Sequence, residues 1–68
     1  MELQAKFGNA VRRIRLAKGL TIEALAQDAG VSYSYLGEIE RGLRNPTLAV
    51  IGALAEALSI DAYLLLRD

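Results

Sequence analysis

Residues 20–42, Leu-Thr-Ile-Glu-Ala-Leu-Ala-Gln-Asp-Ala-Gly-Val-Ser-Tyr-Ser-Tyr-Leu-Gly-Glu-Ile-Glu-Arg-Gly, constrain this chain more than any other stretch. Thr21 is an N-cap, and Glu23 follows in the first turn, where the helix dipole favours an anion. Leu25, Ala26 and Ala29 face inward, and the small alanines let another helix come close. Gly30 breaks this helix and Val31 turns back toward the core. Ser32 caps a second short helix that runs to about Arg41, with Leu36 and Ile39 inward. Tyr33, Ser34, Gly37 and Glu38 fall mostly on the opposite side, so the second helix carries a polar and aromatic outer face.

The flanking segments read as support for that face. Leu3, Phe7, Ala10, Val11 and Ile14 recur at three- and four-residue steps and predict a helix over 3–18. Lys18-Gly19 closes it with a cation in the last turn and a glycine suited to a left-handed cap. Arg41-Gly42 repeats that logic. Leu43-Arg44-Asn45-Pro46 reads as a loop. Thr47 caps a fourth helix over 48–58, with Leu48, Ile51, Leu54, Ala55 and Leu58 on one face. Asp61 is the expected cap of a last helix over 62–66. Five helices, short connections and no strand pattern predict an all-α, compact domain spanning 1–68.

Composition narrows the function classes. A chain of 68 residues has no cysteine to staple it and no histidine to serve as a general base or metal ligand. Ser32 and Ser34 have no apparent base to activate them, and no glycine loop cradles a phosphate. An enzyme is therefore not expected, nor any cofactor, metal or small-molecule ligand. The start of the chain lacks a basic region followed by an apolar run, and Glu56 and Asp61 interrupt the apolar stretch 48–66. A soluble, cytoplasmic protein without membrane attachment is the expectation.

Formal net charge is zero, but the charge is unevenly spread. Residues 1–45 hold seven cations against five acids, and residues 46–68 hold one (Arg67) against three. Local cations near phosphates, rather than net charge, govern affinity for nucleic acid. Charge alone also fits plain solvated faces.

Two short helices joined at a single glycine form a helix-turn-helix (here about 21–41), whose second helix can enter the DNA major groove. The ordered set Arg15 through Lys18-Gly19-Leu20-Thr21, Leu25-Ala26, Gly30-Val31-Ser32, Ile39-Glu40-Arg41-Gly42, Arg44-Asn45-Pro46, and Leu54-Ala55 with Leu58 resembles the XRE or Cro/lambda-repressor-like helix-turn-helix proteins. The likeness covers about residues 7–66. Within that family the short length and the Tyr-Ser-Tyr-Leu-Gly-Glu-Ile-Glu-Arg-Gly run look most like restriction–modification controller proteins. Two positions depart from the family pattern. Ile22 stands where a phosphate-binding glutamine is usual, and Ser59 stands where a glycine is usual after helix four.

The resemblance implies a lambda-repressor-like domain that regulates transcription as a homodimer on a palindromic operator in double-stranded DNA. Ser32, Tyr33, Ser34 and Glu38 are then the base-contacting positions. Serine donates or accepts at a base edge, glutamate accepts from a cytosine amino group, and a tyrosine ring packs on a thymine methyl. Thr21, Tyr35, Arg41, Arg44 and Asn45 are the phosphate-contacting positions. Tyr35 keeps two readings, a ring at the core edge or a hydroxyl toward phosphate; Ser32 is a cap in either case, and turn chemistry alone also suits Asn45. Arg15 and Glu40 look like a structural salt bridge tying helix one to helix three. The C-terminal part, about 54–68, is the expected dimerisation segment, with Ile60, Tyr63, Leu64, Leu65 and Leu66 at the interface. Three consecutive leucines cover too wide an arc for one core. The competing reading is a protein-interaction module of the same fold, of antitoxin or antirepressor type.

Overall fold

A computed structural model describes residues 2–67, so the outermost residues of the expected domain, Met1 and Asp68, lie outside the described residues. It contains α1 (Leu3–Ala17), α2 (Ile22–Ala29), α3 (Tyr33–Glu40), α4 (Leu48–Leu58) and α5 (Tyr63–Leu66). The architecture is all-α with five helices, as expected, and α2 and α3 form the helix-turn-helix. Among the described residues no helix is long and apolar enough to cross a membrane.

Hydroxyl caps set three of the helix starts. Thr21 Oγ1 accepts from the Ala24 N–H at 3.0 Å, Ser32 Oγ from the Tyr35 N–H at 3.0 Å, and Thr47 Oγ1 from the Val50 N–H at 3.2 Å. Each satisfies a donor that the first helical turn leaves without a partner. Between α2 and α3, Gly30 adopts φ 74°, a left-handed conformation that costs glycine nothing. The Val31 N–H then returns to the Ala26 carbonyl at 3.0 Å, which turns the chain within a few residues.

Phe7, Val11, Leu25, Leu36, Ile39, Leu54, Leu58 and Leu65 are the largest fully buried side chains. They come from all five helices. α1 packs on α3, α4 and α5, and α2 packs on α3 and α4. The exposed outer face of α3 is thus the far side of a helix whose inner face, Leu36 and Ile39, is wholly enclosed.

Three expectations are corrected. Asp61 does not cap α5: the helix starts a residue later, Ala62 precedes it in helical conformation, and no side chain caps it. The Asp61 carbonyl instead accepts from the Leu64 N–H at 3.0 Å, closing a turn with main-chain atoms. Leu48 is not part of the inward face of α4, being 85% exposed. Side chains lean toward a helix N-terminus, so the first residue of α4 projects past the packed surface. Leu65, assigned to a dimer interface, is 0% exposed within the protomer. In a single-turn helix of three leucines the middle one points directly at the core beside α1.

Candidate nucleic-acid interface

The surface around the start of α3 follows from its cap. Ser32 is exposed and its hydroxyl oxygen is engaged by the Tyr35 N–H. Tyr33 and Ser34 come next, both exposed, with 58% of Tyr33 open to solvent. One turn later Glu38 is only partly covered. Tyr33, Ser34 and Glu38 share a shallow cleft of about 250 Å³ with Ile22, Gly37 and Arg41. The start of α2 therefore meets the outer face of α3 in one concave surface, and three of the four expected base-contacting residues line it.

Gly37 is buried although it lies on the outer side of α3. A Cβ added there would sit 3.5 Å from Arg41 Nη1, so the arginine side chain lies over the glycine. Ile22 lines the same cleft and is half-buried against the core. At the family's glutamine position, then, the chain presents apolar surface.

Of the expected phosphate-contacting residues, Arg41 is the one that lines this cleft, and Asn45 instead lines a separate cavity with Leu3, Phe7 and Leu66. Thr21 is exposed at the start of α2 with its oxygen already accepting the Ala24 N–H. Arg44 and Asn45 are exposed on the loop after α3. Tyr35 is half-buried, its ring packed at the edge of the core.

One arrangement has no signal in the sequence pattern. Arg44 Nε donates to Glu38 Oε1 at 2.8 Å, and the Arg44 guanidinium carbon lies 5.9 Å from the centre of the Tyr35 ring. The hydrogen bond to Glu38, and then its charge, push the Arg44 pKa up. A six-residue separation across a helix end matches no helical period, so neither residue announces the other. Knowledge of the turn at Gly42, which folds residue 44 back beside α3, is needed to find the pair.

Beneath the face, Arg15 and Glu40 hold α1 to the last turn of α3. Arg15 Nε donates to Glu40 Oε2 at 2.7 Å and Nη2 donates to Oε1 at 2.9 Å. Nη1 donates to the Leu20 carbonyl at 2.8 Å, which anchors the α1–α2 turn to the same guanidinium. The Glu40 hydrogen bond raises the Arg15 pKa against the opposing effect of burial. Gly8, which the sequence reading passed over, sits where a Cβ would run into the Ile39 and Glu40 carbonyls. That glycine sets the close approach of α1 to α3.

At the C-terminal end, Tyr63 and Leu66 are exposed and Ile60 and Leu64 are half-buried, whereas Leu65 belongs to the core. Leu66 lines a cavity of about 180 Å³ with Leu3, Phe7, Pro46 and Ile51, among others. The apolar surface there extends past α5 onto the start of α1.

A family model described as helix-turn-helix matches residues 11–65. YazB, an HTH-type transcriptional regulator of Bacillus subtilis, is 46% identical over 56 residues, which is 82% of this chain and 81% of that protein. The crystal structure of the restriction-modification controller protein C.AhdI from Aeromonas hydrophila is similar with a TM-score of 0.89 at 47% identity, covering 91% of this chain and 94% of that one. The clp gene regulator ClgR from Corynebacterium glutamicum is similar with a TM-score of 0.94 at 32% identity, covering 97% of this chain and 70% of that one.

Proposed function

The chain belongs to the helix-turn-helix family of DNA-binding transcriptional regulators, and from that premise we propose that it acts as a homodimer on a palindromic operator, as a restriction–modification controller. The observation that carries this reading is the exposed start of α3, where Tyr33 and Ser34 stand open beside the Ser32 cap. Ser32, Tyr33, Ser34 and Glu38 meet base edges in the major groove. Thr21, Arg41, Arg44, Asn45 and the Tyr35 hydroxyl take the phosphates on either side. Side chains of the first group specify and those of the second position.

The pairing into dimers follows from scale. An eight-residue helix reaches few base pairs, and repressor-type domains gain site length by binding half-sites about one DNA turn, roughly 34 Å, apart. Ile60, Tyr63, Leu64 and Leu66 form the interface, with Leu65 supporting them from inside. The controller assignment rests on the likeness to C.AhdI, which extends over nearly the full length of both chains. Chain 1–68 works as one domain in which the segment of about 54–68 serves the partner, with Leu54, Ala55, Leu58 and Leu65 also serving the core.

Selection from a pool of random DNA duplexes tests the whole reading. The expected product is a palindrome with half-sites about one turn apart, bound by two protomers. Recovery of no preferred duplex, or of a site bound by a single protomer, overturns it.

A further inference from the structure

Glu38 is an anomaly on a face turned toward a polyanion. Among the residues lining the cleft it is the one acid. Its carboxylate is engaged by Arg44 Nε at 2.8 Å, and that guanidinium lies over the Tyr35 ring. The two side chains keep 34% and 56% exposure, so the pair forms in contact with water. Such exposed pairs are weak and exchange readily for another partner.

Each member has a rival partner in a protein–DNA complex. A guanidinium binds a phosphate as well as a carboxylate. A carboxylate facing the major groove accepts from the cytosine N4 amino group and is repelled by the acceptor-rich edge of guanine. Arg44 cannot leave for a phosphate without baring the Glu38 charge beside the backbone. That charge is tolerated best opposite cytosine N4, a donor without the adjoining N7 acceptor that flanks the amino group of adenine.

We infer that Glu38 and Arg44 form an exchange pair that couples base choice to phosphate binding. On a duplex with a cytosine amino group opposite Glu38, the carboxylate passes to the base and Arg44 passes to a phosphate. On other duplexes the pair stays closed and that phosphate contact is not made. Tyr35 gives the guanidinium a fixed surface in both states. Glu38 is thus a specificity-determining residue that acts partly by withholding affinity. This inference rests on the DNA-binding reading above and adds the intramolecular competition to it.

The test uses the duplex selected by the native chain and a shuffled duplex of the same composition, titrated between about 50 and 300 mM KCl, a range over which each phosphate contact shows in the salt dependence. The native chain, Glu38→Gln, Arg44→Gln and the double variant are compared, with circular dichroism reporting folding. For the native chain the selected duplex should show a salt slope steeper by about 0.9 per protomer, the value of one extra phosphate contact. Glu38→Gln should bind the shuffled duplex about three- to tenfold more tightly, with its slope rising by the same increment, and should lose the cytosine preference at the facing position. Arg44→Gln should show equal slopes on the two duplexes, with or without Glu38→Gln, and keeps the inference testable if the glutamine variant at position 38 is unfolded. Unchanged affinity and slope of Glu38→Gln on the shuffled duplex, with native binding to the selected duplex intact, overturn the exchange pair alone. Absence of native binding to every duplex overturns the DNA-binding reading and this inference together.

Discussion

Arg15 and Glu40 meet through two parallel hydrogen bonds, Nε to Oε2 at 2.7 Å and Nη2 to Oε1 at 2.9 Å, with both side chains almost fully enclosed. The third donor edge reaches the Leu20 carbonyl, so one guanidinium joins α1, the α1–α2 turn and α3. A buried pair of this kind adds little net stability, because desolvation offsets attraction, but breaking it strands a charge. Glu40→Ala should therefore destabilise the domain by about 3–5 kcal/mol in urea denaturation. Arg15→Met combined with Glu40→Leu should recover most of that loss. DNA binding by Glu40→Ala should fall in step with the folded fraction, which separates an orienting role from contact with DNA.

Gly8 and Gly52 make opposite predictions for the same substitution. A Cβ at Gly8 would collide with two main-chain carbonyls of α3, and backbone atoms cannot yield as a side-chain tip can. Gly8→Ala should cost about 1–3 kcal/mol or more, despite the helix-propensity gain of alanine. At Gly52, inside α4, nothing lies within 4 Å of an added Cβ. Gly52→Ala should stabilise by about 0.5–1 kcal/mol, the backbone-entropy difference alone. Denaturation midpoints of the two variants should move in opposite directions.

Those contrasts show what the sequence discloses and what it hides. Thr21, Ser32 and Thr47 are visible as caps because a hydroxyl ahead of an apolar period has a local partner three residues on. The inward residues of α2 and α3 are visible because their period is local too. Asp61 misled because main-chain atoms close the last turn without its carboxylate, and Leu48 because a helix-first residue can match the period and still lie beyond the core. Leu65 is hidden for a different reason: in Leu64-Leu65-Leu66 the pattern is uniform, so only the position of α1 decides which leucine is enclosed. Gly8 and the Glu38–Arg44 pair depend on how separate elements meet, which no local period encodes.

Ser59 ends α4 in the left-handed region, at φ 58° and ψ 43°, the one non-glycine with positive φ among the described residues. That conformation costs an L-residue with a Cβ roughly 1–2 kcal/mol, and glycine avoids the cost. Ser59→Gly should raise stability by about 1 kcal/mol, a shift in thermal midpoint of about 4–8 °C for a domain this size. The serine is retained by nothing visible in the packing, so DNA binding should be unchanged.

The leucine run separates folding from assembly. Leu65→Asp places a charge in the core and should unfold the protomer. Tyr63 is 60% exposed and Leu66 lies partly open, so Tyr63→Lys with Leu66→Asp should leave the fold intact. If these residues face a second copy, the double variant should sediment as a monomer at micromolar concentrations where the native chain sediments as a dimer. Sedimentation of both proteins as dimers would place the interface elsewhere, and sedimentation of both as monomers would remove the dimer.

Tyr33 and Ser34 give the cleanest separation of recognition from stability. Neither contributes to the enclosed core, so Tyr33→Ala and Ser34→Ala should change unfolding free energy by no more than about 0.5 kcal/mol. A lost base contact costs about 1–3 kcal/mol, and a dimer loses one in each half-site. Binding to the selected duplex should thus weaken by at least tenfold in an equilibrium titration (about 1.4 kcal/mol per decade), while binding to a shuffled duplex stays nearly the same. A uniform loss on both duplexes would move Tyr33 from base reading to phosphate contact. No loss on either would remove the start of α3 from the interface, and with it the reason for the polar and aromatic face that α3 presents.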